Sequence, residues 1–310
     1  MSLERCLGSL PSGFQVERRG RGVLAARREW VGELVRAGFG PDDDQPLQRS
    51  DLSGRSSLFE IVLTSESLLV RRFRHGGVLR GIGGNRFAGP ERVFRELVLS
   101  EMLAESGIPT PPVVGARARR MSPFGWRMEL LTRRIGGAID GLRALERVSS
   151  AGPGAMLRAR LFQEAGKFVA RLHGAGLFHA DLTPRNLLLD EGFLRGGEAR
   201  FWVLDLDRSR IQRPLSSAAR IANLARLARF LLRRRDRGAC RFSRADLLRF
   251  LRGYAAGSGG AFEPTALWRG IELRLGRSSW IHRLGWILEE WMGEGPEARD
   301  GRGAGQRVDK

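Results

Sequence analysis

The chain has 310 residues, of which 42% are hydrophobic, which predicts a globular protein with a sizeable core, built as one large domain or two lobes. Its two distant cysteines, Cys6 and Cys240, argue against a disulfide framework or a zinc site and fit a reduced, cytoplasmic protein. The start lacks the apolar core of a signal peptide, and no run approaches about 18 apolar residues, so we expect a soluble or peripheral protein.

The formal net charge is +19, and only two of the 53 basic residues are lysine, Lys167 and Lys310. A GC-rich coding sequence explains the scarcity of lysine but not the size of the net charge. A field this basic favours polyanions, such as nucleic acid, a nucleotide or an anionic membrane. Because the chain has no RNA-reading motif or helix-turn-helix, and a single tyrosine for base stacking, we expect no nucleic-acid partner.

The first half of the chain mixes strand and helix patterns. We predict a helix over residues 24–39, a loop over the following Pro- and Asp-rich stretch, two strands over 57–73 with a polar turn at Thr64–Ser67, a helix over 89–109 and a strand over 125–135.

The second half of the chain is mainly helical. We predict helices over 155–177, 216–235, 243–254 and 278–292, and a disordered tail from Gly293. This order predicts an α+β fold with a β-rich front lobe carrying one main helix and a larger helical back lobe.

The stretch "HADLTPRN", His179 to Asn186, lies between the helix over 155–177 and a short apolar run. Phosphoryl transfer needs a carboxylate to orient and deprotonate the acceptor hydroxyl, and oxygen ligands for Mg²⁺. The catalytic loop of kinases supplies both with the spacing H-x-D-x-x-x-x-N, which this stretch has. Asp181 is therefore the candidate base, Asn186 a candidate Mg²⁺ ligand and His179 a structural hydrogen-bonding residue.

A second carboxylate follows on a strand-like run, "FWVLDLD", where Asp205 stands at the position expected for the metal-binding Asp of a kinase. Asp207 is either a further metal ligand or a substrate contact. The alternative is that "HADLTPRN" is a polar surface turn and Asp205 an ordinary strand-end residue. The order of helix, loop, strand, carboxylate and helices favours the phosphotransferase.

The chain resembles the lipopolysaccharide-core kinases, and among them the 3-deoxy-D-manno-octulosonic acid (Kdo) kinases. The resemblance covers roughly residues 50–255 and is carried by "LLVRRFRHGG", "RVFRELVLSEMLAESGIPTPPVVGARARR", "HADLTPRNLLLD", "VLDLDRSRI" and "NLARLARFL". It implies a two-lobed protein-kinase-like fold. We expect residues 1–50 to be an extension packing on the small lobe, 51–135 the N-terminal lobe, 136–292 the C-terminal lobe and 293–310 a disordered tail.

The chain departs from protein kinases at the nucleotide site. No lysine precedes Lys167, so the strand lysine that holds ATP phosphates is missing. The resemblance places Arg71 there, with Glu96 as its helix partner; the alternative is a solvated strand arginine. A G-x-G-x-x-G loop is also missing, and the candidate phosphate turn is "SGRSS", containing Gly54, Arg55 and Ser56, which is equally consistent with a plain hairpin.

The resemblance implies ATP and Mg²⁺ as cofactors and Kdo-lipid A as acceptor, phosphorylated at O-4 of Kdo. Little room for an activation segment between Asp207 and Ser216 also favours a small or glycolipid acceptor over a protein. We expect a cytoplasmic protein, peripheral on the cytoplasmic face of the inner membrane, whose anionic surface attracts basic residues. The candidate contacts are arginine clusters at Arg18–Arg28, Arg117–Arg120 and Arg233–Arg237 and a tryptophan-bearing helix with Trp280, Trp286 and Trp291, although solvated and core positions are the ordinary explanations.

Three other functions are compatible with parts of the sequence. A kinase of another acceptor, such as a heptose or an aminoglycoside-like metabolite, would use the same catalytic residues. A nucleotide-binding pseudokinase is suggested by arginine in place of lysine, but Asp181, Asn186 and Asp205 are all present. A nucleic-acid-binding protein is suggested by charge alone, and the oligomeric state cannot be inferred.

Overall fold

A computed structural model describes residues 2–50, 58–64, 66–74, 86–121, 125–150, 154–238 and 240–276 of the protein. The turn with Gly54, Arg55 and Ser56, the His75–Gly77 turn, the predicted helix over 278–292 with its tryptophans, and the tail from Gly293 lie outside the described residues. Among those described, no helix combines the length and apolar character needed to cross a membrane.

The front lobe is an antiparallel sheet that the described chain builds from seven strands in the order β1-β2-β6-β7-β5-β4-β3. Its elements are α1 (Leu3–Leu7), β1 (Phe14–Arg19), β2 (Gly22–Arg27), α2 (Arg28–Arg36), β3 (Gln48–Arg49), β4 (Leu58–Val62), β5 (Ser67–Arg72), α3 (Glu91–Glu105), β6 (Val113–Arg120) and β7 (Trp126–Arg133). The helix α3 packs on β6 and β7 and buries Val93, Phe94 and Leu97 beside the sheet.

The back lobe is mainly helical. Its elements are β8 (Ala138–Asp140), α4 (Gly141–Ser150), α5 (Gly154–Gly174), β9 (Leu177–Phe178), β10 (Leu187–Asp190), β11 (Phe201–Val203), β12 (Arg210–Ile211), α6 (Ser217–Asp236), α7 (Arg244–Gly257) and α8 (Pro264–Leu275). Within the described residues, β11-β10-β8 and β12-β9 form two small sheets that carry the loops of the candidate site. Leu99 and Leu103 at the end of α3 enter the hydrophobic core of this lobe and connect the two lobes.

The predicted α+β, two-lobed architecture is confirmed, but the helix predicted over residues 24–39 is wrong in its first part. Residues Gly22–Arg27 form β2, which pairs with β1 on one side and β6 on the other. Its side chains from Val23 to Ala26 are all buried, so the segment has no polar face to identify it as a strand. The helix α2 begins only at Arg28. The first 50 residues therefore contribute strands to the sheet itself.

The arginine cluster at Arg117–Arg120 is wrong as a candidate membrane contact for two of its three arginines, since only Arg120 is exposed. The Arg117 side chain is 3% exposed, and its Nη2 lies 2.6 Å from Oε2 of Glu129. Arg119 is buried as well and pairs with Asp44. The reason is that the loop after α2 covers this part of β6, with Arg117 Nη1 donating to the Gly40 carbonyl over 3.1 Å.

The helices α5 and α7 approach so closely that glycine is required between them. A Cβ added at Gly166 would lie 2.1 Å from the Phe250 carbonyl oxygen and 2.9 Å from the Tyr254 nitrogen. Gly253 meets α5 from the other side, with a similar 2.1 Å approach to the Gln163 carbonyl oxygen. By contrast, an added Cβ at Gly174, the last residue of α5, would meet nothing within 4 Å.

Gly166→Ala and Gly174→Ala form a matched pair in one helix. Alanine raises helix propensity by up to about 1 kcal/mol at exposed positions, so Gly174→Ala should leave stability unchanged or slightly increased. At Gly166 the clash with backbone atoms outweighs that gain, and we expect a net loss of about 1–3 kcal/mol of unfolding free energy. Urea denaturation followed by circular dichroism measures both; equal midpoints would contradict the close packing of α5 on α7.

Candidate active site

The "HADLTPRN" stretch forms the loop between β9 and β10, closed by a turn of 3₁₀ helix at Pro184–Asn186. His179 at its start is 1% exposed, whereas the Asp181 side chain is 42% exposed. The loop therefore anchors its histidine in the protein and leaves its carboxylate accessible to solvent.

His179 ties the loop to the strand segment that leads to Asp205. Its Nε2–H donates to the Leu204 carbonyl over 2.9 Å, and its Nδ1 accepts from the Asp181 backbone N–H over 3.1 Å. These bonds select the neutral ring protonated on Nε2. Burial lowers the pKa of His179, which keeps the ring neutral. The structure therefore places this residue as a hydrogen-bonding link between the two carboxylate-bearing segments.

Asn186 lies beside the candidate base. Its Nδ2 donates to the Asp181 carbonyl over 2.7 Å and approaches Asp181 Oδ2 at 3.4 Å. Its own carbonyl accepts from the Leu204 N–H over 2.9 Å. With the amide nitrogen turned to Asp181, the side-chain oxygen is available as a ligand for a hard cation.

Asn223 on α6 holds the loop from behind. Its Oδ1 accepts from the His179 backbone N–H and its Nδ2 donates to the His179 carbonyl, each over 3.0 Å. Sequence reasoning missed this residue. The available signal was a polar side chain inside the apolar stripe of α6, next to Leu224 and Leu227, where it is 1% exposed.

A buried polar chain continues behind Asn223. Tyr254 accepts from Arg220 Nη1 over 3.2 Å, and its hydroxyl lies 2.8 Å from His173 Nδ1. His173 Nε2 lies 3.4 Å from Asn223 Oδ1. Burial, together with the positive charge of Arg220, lowers the pKa of His173 to about 3. The neutral ring therefore links α5, α6 and α7 directly behind the loop.

Arg71 on β5 contacts two carboxylates of the candidate site. Its Nη2 lies 2.5 Å from Glu96 Oε2, and its Nη1 lies 3.2 Å from Asp205 Oδ1. Glu96 on α3 also accepts the Leu206 backbone N–H over 3.0 Å through its other oxygen. Burial, with smaller contributions from the nearby Asp205 and Asp207, raises the pKa of Glu96 to about 7 against the lowering effect of Arg71. The predicted partners Arg71 and Glu96 are thus in contact and are joined to the Asp205 segment.

The backbone of Asp205 is in a strained conformation. Its φ is 54°, in the left-handed region that non-glycine residues seldom adopt. The Leu206 contact with Glu96 holds the following peptide, and the Asp205 side chain is 42% exposed. Such strain is characteristic of functional sites whose surroundings enforce it.

Asp207 is held differently. Arg92 grips it with two nitrogens: Nε lies 3.0 Å from Oδ1, and Nη2 contacts Oδ2. Arg92 and Glu96 are one turn apart on α3, so one face of this helix holds the whole Asp205–Asp207 segment. The sequence reasoning missed Arg92. Asp207 would have to leave this bidentate pair to coordinate a metal through both oxygens.

Sequence reasoning also missed Arg226 on α6. Its Nη1 lies 3.3 Å from Asp181 Oδ1, and its side chain is 49% exposed. It follows Asn223 by one helical turn, which explains why the same helix reaches both His179 and Asp181.

The site has the oxygen chemistry for Mg²⁺. Asp205 and Asn186 supply a carboxylate and an amide oxygen, and Mg²⁺ is commonly held by one or two protein carboxylates together with substrate phosphates. The described residues contain no cluster of three or more His, Cys, Asp or Glu side chains arranged for a metal.

Comparison with known proteins agrees with this geometry. The model of the lipopolysaccharide kinase (Kdo/WaaP) family matches residues 53–254. A curated 3-deoxy-D-manno-octulosonic acid kinase of Stenotrophomonas maltophilia is 31% identical over 244 residues, covering 77% of this chain and 91% of that protein. One from Xanthomonas campestris is 30% identical, covering 77% and 94%.

A more distant protein of the same name, from Vibrio vulnificus, is 26% identical and covers 76% of this chain and 95% of its own length. Among solved structures, WaaP in complex with acyl carrier protein aligns with a TM-score of 0.51 at 18% identity, covering 75% of this chain and 88% of that chain. At this identity the structural match supports the fold alone.

His173 makes the protein sensitive to acid. The pKa of His173 is about 3 in the fold and near 6.5 when unfolded, so its stabilising effect is complete above pH 6.5 and is lost as the pH falls towards 3. His173→Gln keeps a hydrogen-bonding side chain but no titrating ring. We expect the stability advantage of wild type over this variant to shrink by about 2 kcal/mol between pH 7 and pH 5.

Urea denaturation of both proteins at the two pH values measures this difference, in which titrations common to both proteins cancel. Parallel pH dependences of the two unfolding free energies would show that His173 titrates normally in the folded protein.

Proposed function

Because the chain belongs to the lipopolysaccharide kinase (Kdo/WaaP) family, we propose that it transfers the γ-phosphoryl group of ATP to O-4 of Kdo in Kdo-lipid A. Membership of this family makes the protein a phosphotransferase that acts on a sugar hydroxyl. The finer assignment to Kdo is supported by relatives named as Kdo kinases that are about 30% identical over most of the chain. The observation that carries it is the half-exposed carboxylate of Asp181, on a loop that His179 joins to the segment bearing Asp205, whose carboxylate contacts Arg71.

Asp181 is the proposed base. Its carboxylate orients the acceptor hydroxyl and takes its proton as the hydroxyl oxygen bonds to the γ-phosphorus. The bond from that phosphorus to the β–γ bridging oxygen breaks, and ADP leaves. His179 and Asn186 position Asp181 through the backbone and side-chain contacts described above.

Arg71 is proposed to bind the nucleotide phosphates in place of the usual strand lysine. Its guanidinium has further N–H donors beside those used on Glu96 and Asp205, and arginine can hold a phosphate with two of them. The turn with Gly54, Arg55 and Ser56 remains a predicted phosphate contact.

Asn186 and Asp205 are proposed to hold Mg²⁺ with the nucleotide phosphates, and Asp207 remains a predicted further ligand. The ion neutralises charge on the transferring group when it is bound. The protein contributes the orientation of the ligands, because Glu96 and Arg92 hold the segment between Asp205 and Asp207 from α3.

We also place the protein peripherally on the cytoplasmic face of the inner membrane, where Kdo-lipid A is exposed. The net charge of +19 suits an anionic surface, to which each nearby basic residue contributes about 1 kcal/mol. The arginines at the β1–β2 turn, and Arg233 and Arg237 at the end of α6, are exposed and are suitable contacts.

Asp181→Ala tests the catalytic assignment. We expect kcat for phosphate transfer to Kdo-lipid A to fall at least about 100-fold, because the acceptor loses its base, while the KM for ATP stays unchanged. Mass spectrometry of the released sugar locates the added phosphate, expected at O-4. Glu198→Ala removes a carboxylate that is 84% exposed in the same lobe and serves as the control with wild-type activity.

Other outcomes separate the parts of this proposal. Wild-type protein that binds Mg-ATP but leaves Kdo-lipid A unmodified would point to a different core sugar. Full activity of Asp181→Ala would remove Asp181 from the chemistry.

The matched variants Asp205→Asn and Asp207→Asn test the metal ligands. We expect Asp205→Asn to raise the Mg²⁺ concentration for half-maximal activity by at least about tenfold, since it removes a charged ligand. Asp207→Asn should raise it much less, because both Asp207 oxygens contact Arg92. Titration of activity with Mg²⁺ measures both effects, and equal shifts would establish Asp207 as a second ligand.

A further inference from the structure

Three residues of α6 meet three residues of the catalytic loop in order. Asn223 binds the His179 backbone, Arg226 contacts Asp181, and the Phe230 ring lies 5.9 Å from the guanidinium carbon of Arg185. Their spacing of three and four residues places them on one face of the helix. This face therefore lies along the loop from His179 to Arg185.

The contact with Asp181 occupies only part of the Arg226 guanidinium. Its Nη1 lies 3.3 Å from Asp181 Oδ1. Among the ion pairs of the described residues, Arg226 is paired with Asp181 through Nη1 alone, and its side chain is 49% exposed. The remaining N–H groups of its guanidinium can bind a second anionic group close to the reacting hydroxyl.

The next turn of the helix adds an aromatic ring between cations. Phe230 is half-buried, with the guanidinium carbon of Arg185 5.9 Å from its centroid on the loop side and that of Arg234 at 5.7 Å one turn further along α6. An aromatic ring offers an apolar face to a sugar ring, and the arginines offer charge to its acidic substituents. Arg226, Phe230, Arg234 and Arg185 together are called the α6 ledge.

We propose that the α6 ledge is the acceptor subsite and that Arg226 binds the carboxylate of a sugar acid whose hydroxyl faces Asp181. This inference rests on the proposed function and deepens it, because it assigns selection of an acidic sugar over a neutral one to a particular side chain. Guanidinium and carboxylate match as a two-point, charge-assisted pair, which fixes the orientation of the sugar as well as its charge. Phe230 supports the sugar ring irrespective of its charge.

Two acceptors and four proteins test the ledge. The acceptors are Kdo-lipid A and the same glycolipid with the Kdo carboxylate reduced to the alcohol. The proteins are wild type, Arg226→Gln, Phe230→Ala and Arg235→Gln. Arg235 lies about 180° around α6 from Arg226, beside Phe242 and Asp236, and is the charge-matched control.

For Arg226→Gln we expect the KM for Kdo-lipid A to rise about 10- to 100-fold while the KM for ATP is unchanged. Wild type should lose a similar factor on the reduced acceptor, and Arg226→Gln should lose nothing further on it. Phe230→Ala should weaken both acceptors alike, and Arg235→Gln should keep the wild-type preference for the acidic one.

An equal loss on both acceptors for Arg226→Gln, or a shifted pH profile of kcat at unchanged KM, would overturn the proposal and assign Arg226 to the phosphoryl group or to Asp181. Wild type that phosphorylates both acceptors equally would also overturn it while leaving the proposed function intact. If wild type phosphorylates neither glycolipid, the proposed function fails, and the assignment of the ledge fails with it.

Discussion

The structure depends on one buried carboxylate. Glu96 is 2% exposed and joins three parts of the molecule: the helix α3 that carries it, the strand β5 through Arg71, and the Asp205 segment through the Leu206 N–H. A carboxylate in such a place is costly unless its partners satisfy both oxygens, and here they do. The position of α3 therefore determines whether the cation of the sheet and the carboxylate of the back lobe face each other.

The rest of the fold holds that helix in place. Arg27 at the end of β2 grips Glu101 with distances of 2.7 and 2.9 Å, while Leu99 and Leu103 are buried in the core of the back lobe. On the other lobe, α6 holds the His179–Asn186 loop through Asn223. The segments bearing Asp181 and Asp205 are thus supported by two different helices, α6 and α3, and are joined to each other by the His179 contact with Leu204.

Local patterns in the sequence were sufficient for the loop motif, the Asp205 segment and most helices. They failed where burial hides periodicity, as in β2, whose side chains from Val23 to Ala26 are all buried. They also failed for contacts between distant residues. The pair of Arg92 with Asp207 spans 115 positions, and that of Arg226 with Asp181 spans 45, so no local spacing indicates either. Arg71 with Glu96 was accessible because a family resemblance supplied the pairing.

The scarcity of lysine acquires a different meaning in this structure. Arg71 uses separate nitrogens for Glu96 and Asp205, Arg92 uses two for Asp207, and Arg117 reaches Glu129 and the Gly40 carbonyl at once. The ammonium of lysine is a compact point charge without this planar fork, and replacement would leave buried acceptors unsatisfied. Whatever mutational bias first wrote arginine into the gene, reversal at these positions is now opposed by the folded protein. A preference for arginine codons is thus maintained at these positions by the hydrogen bonds that the folded protein requires.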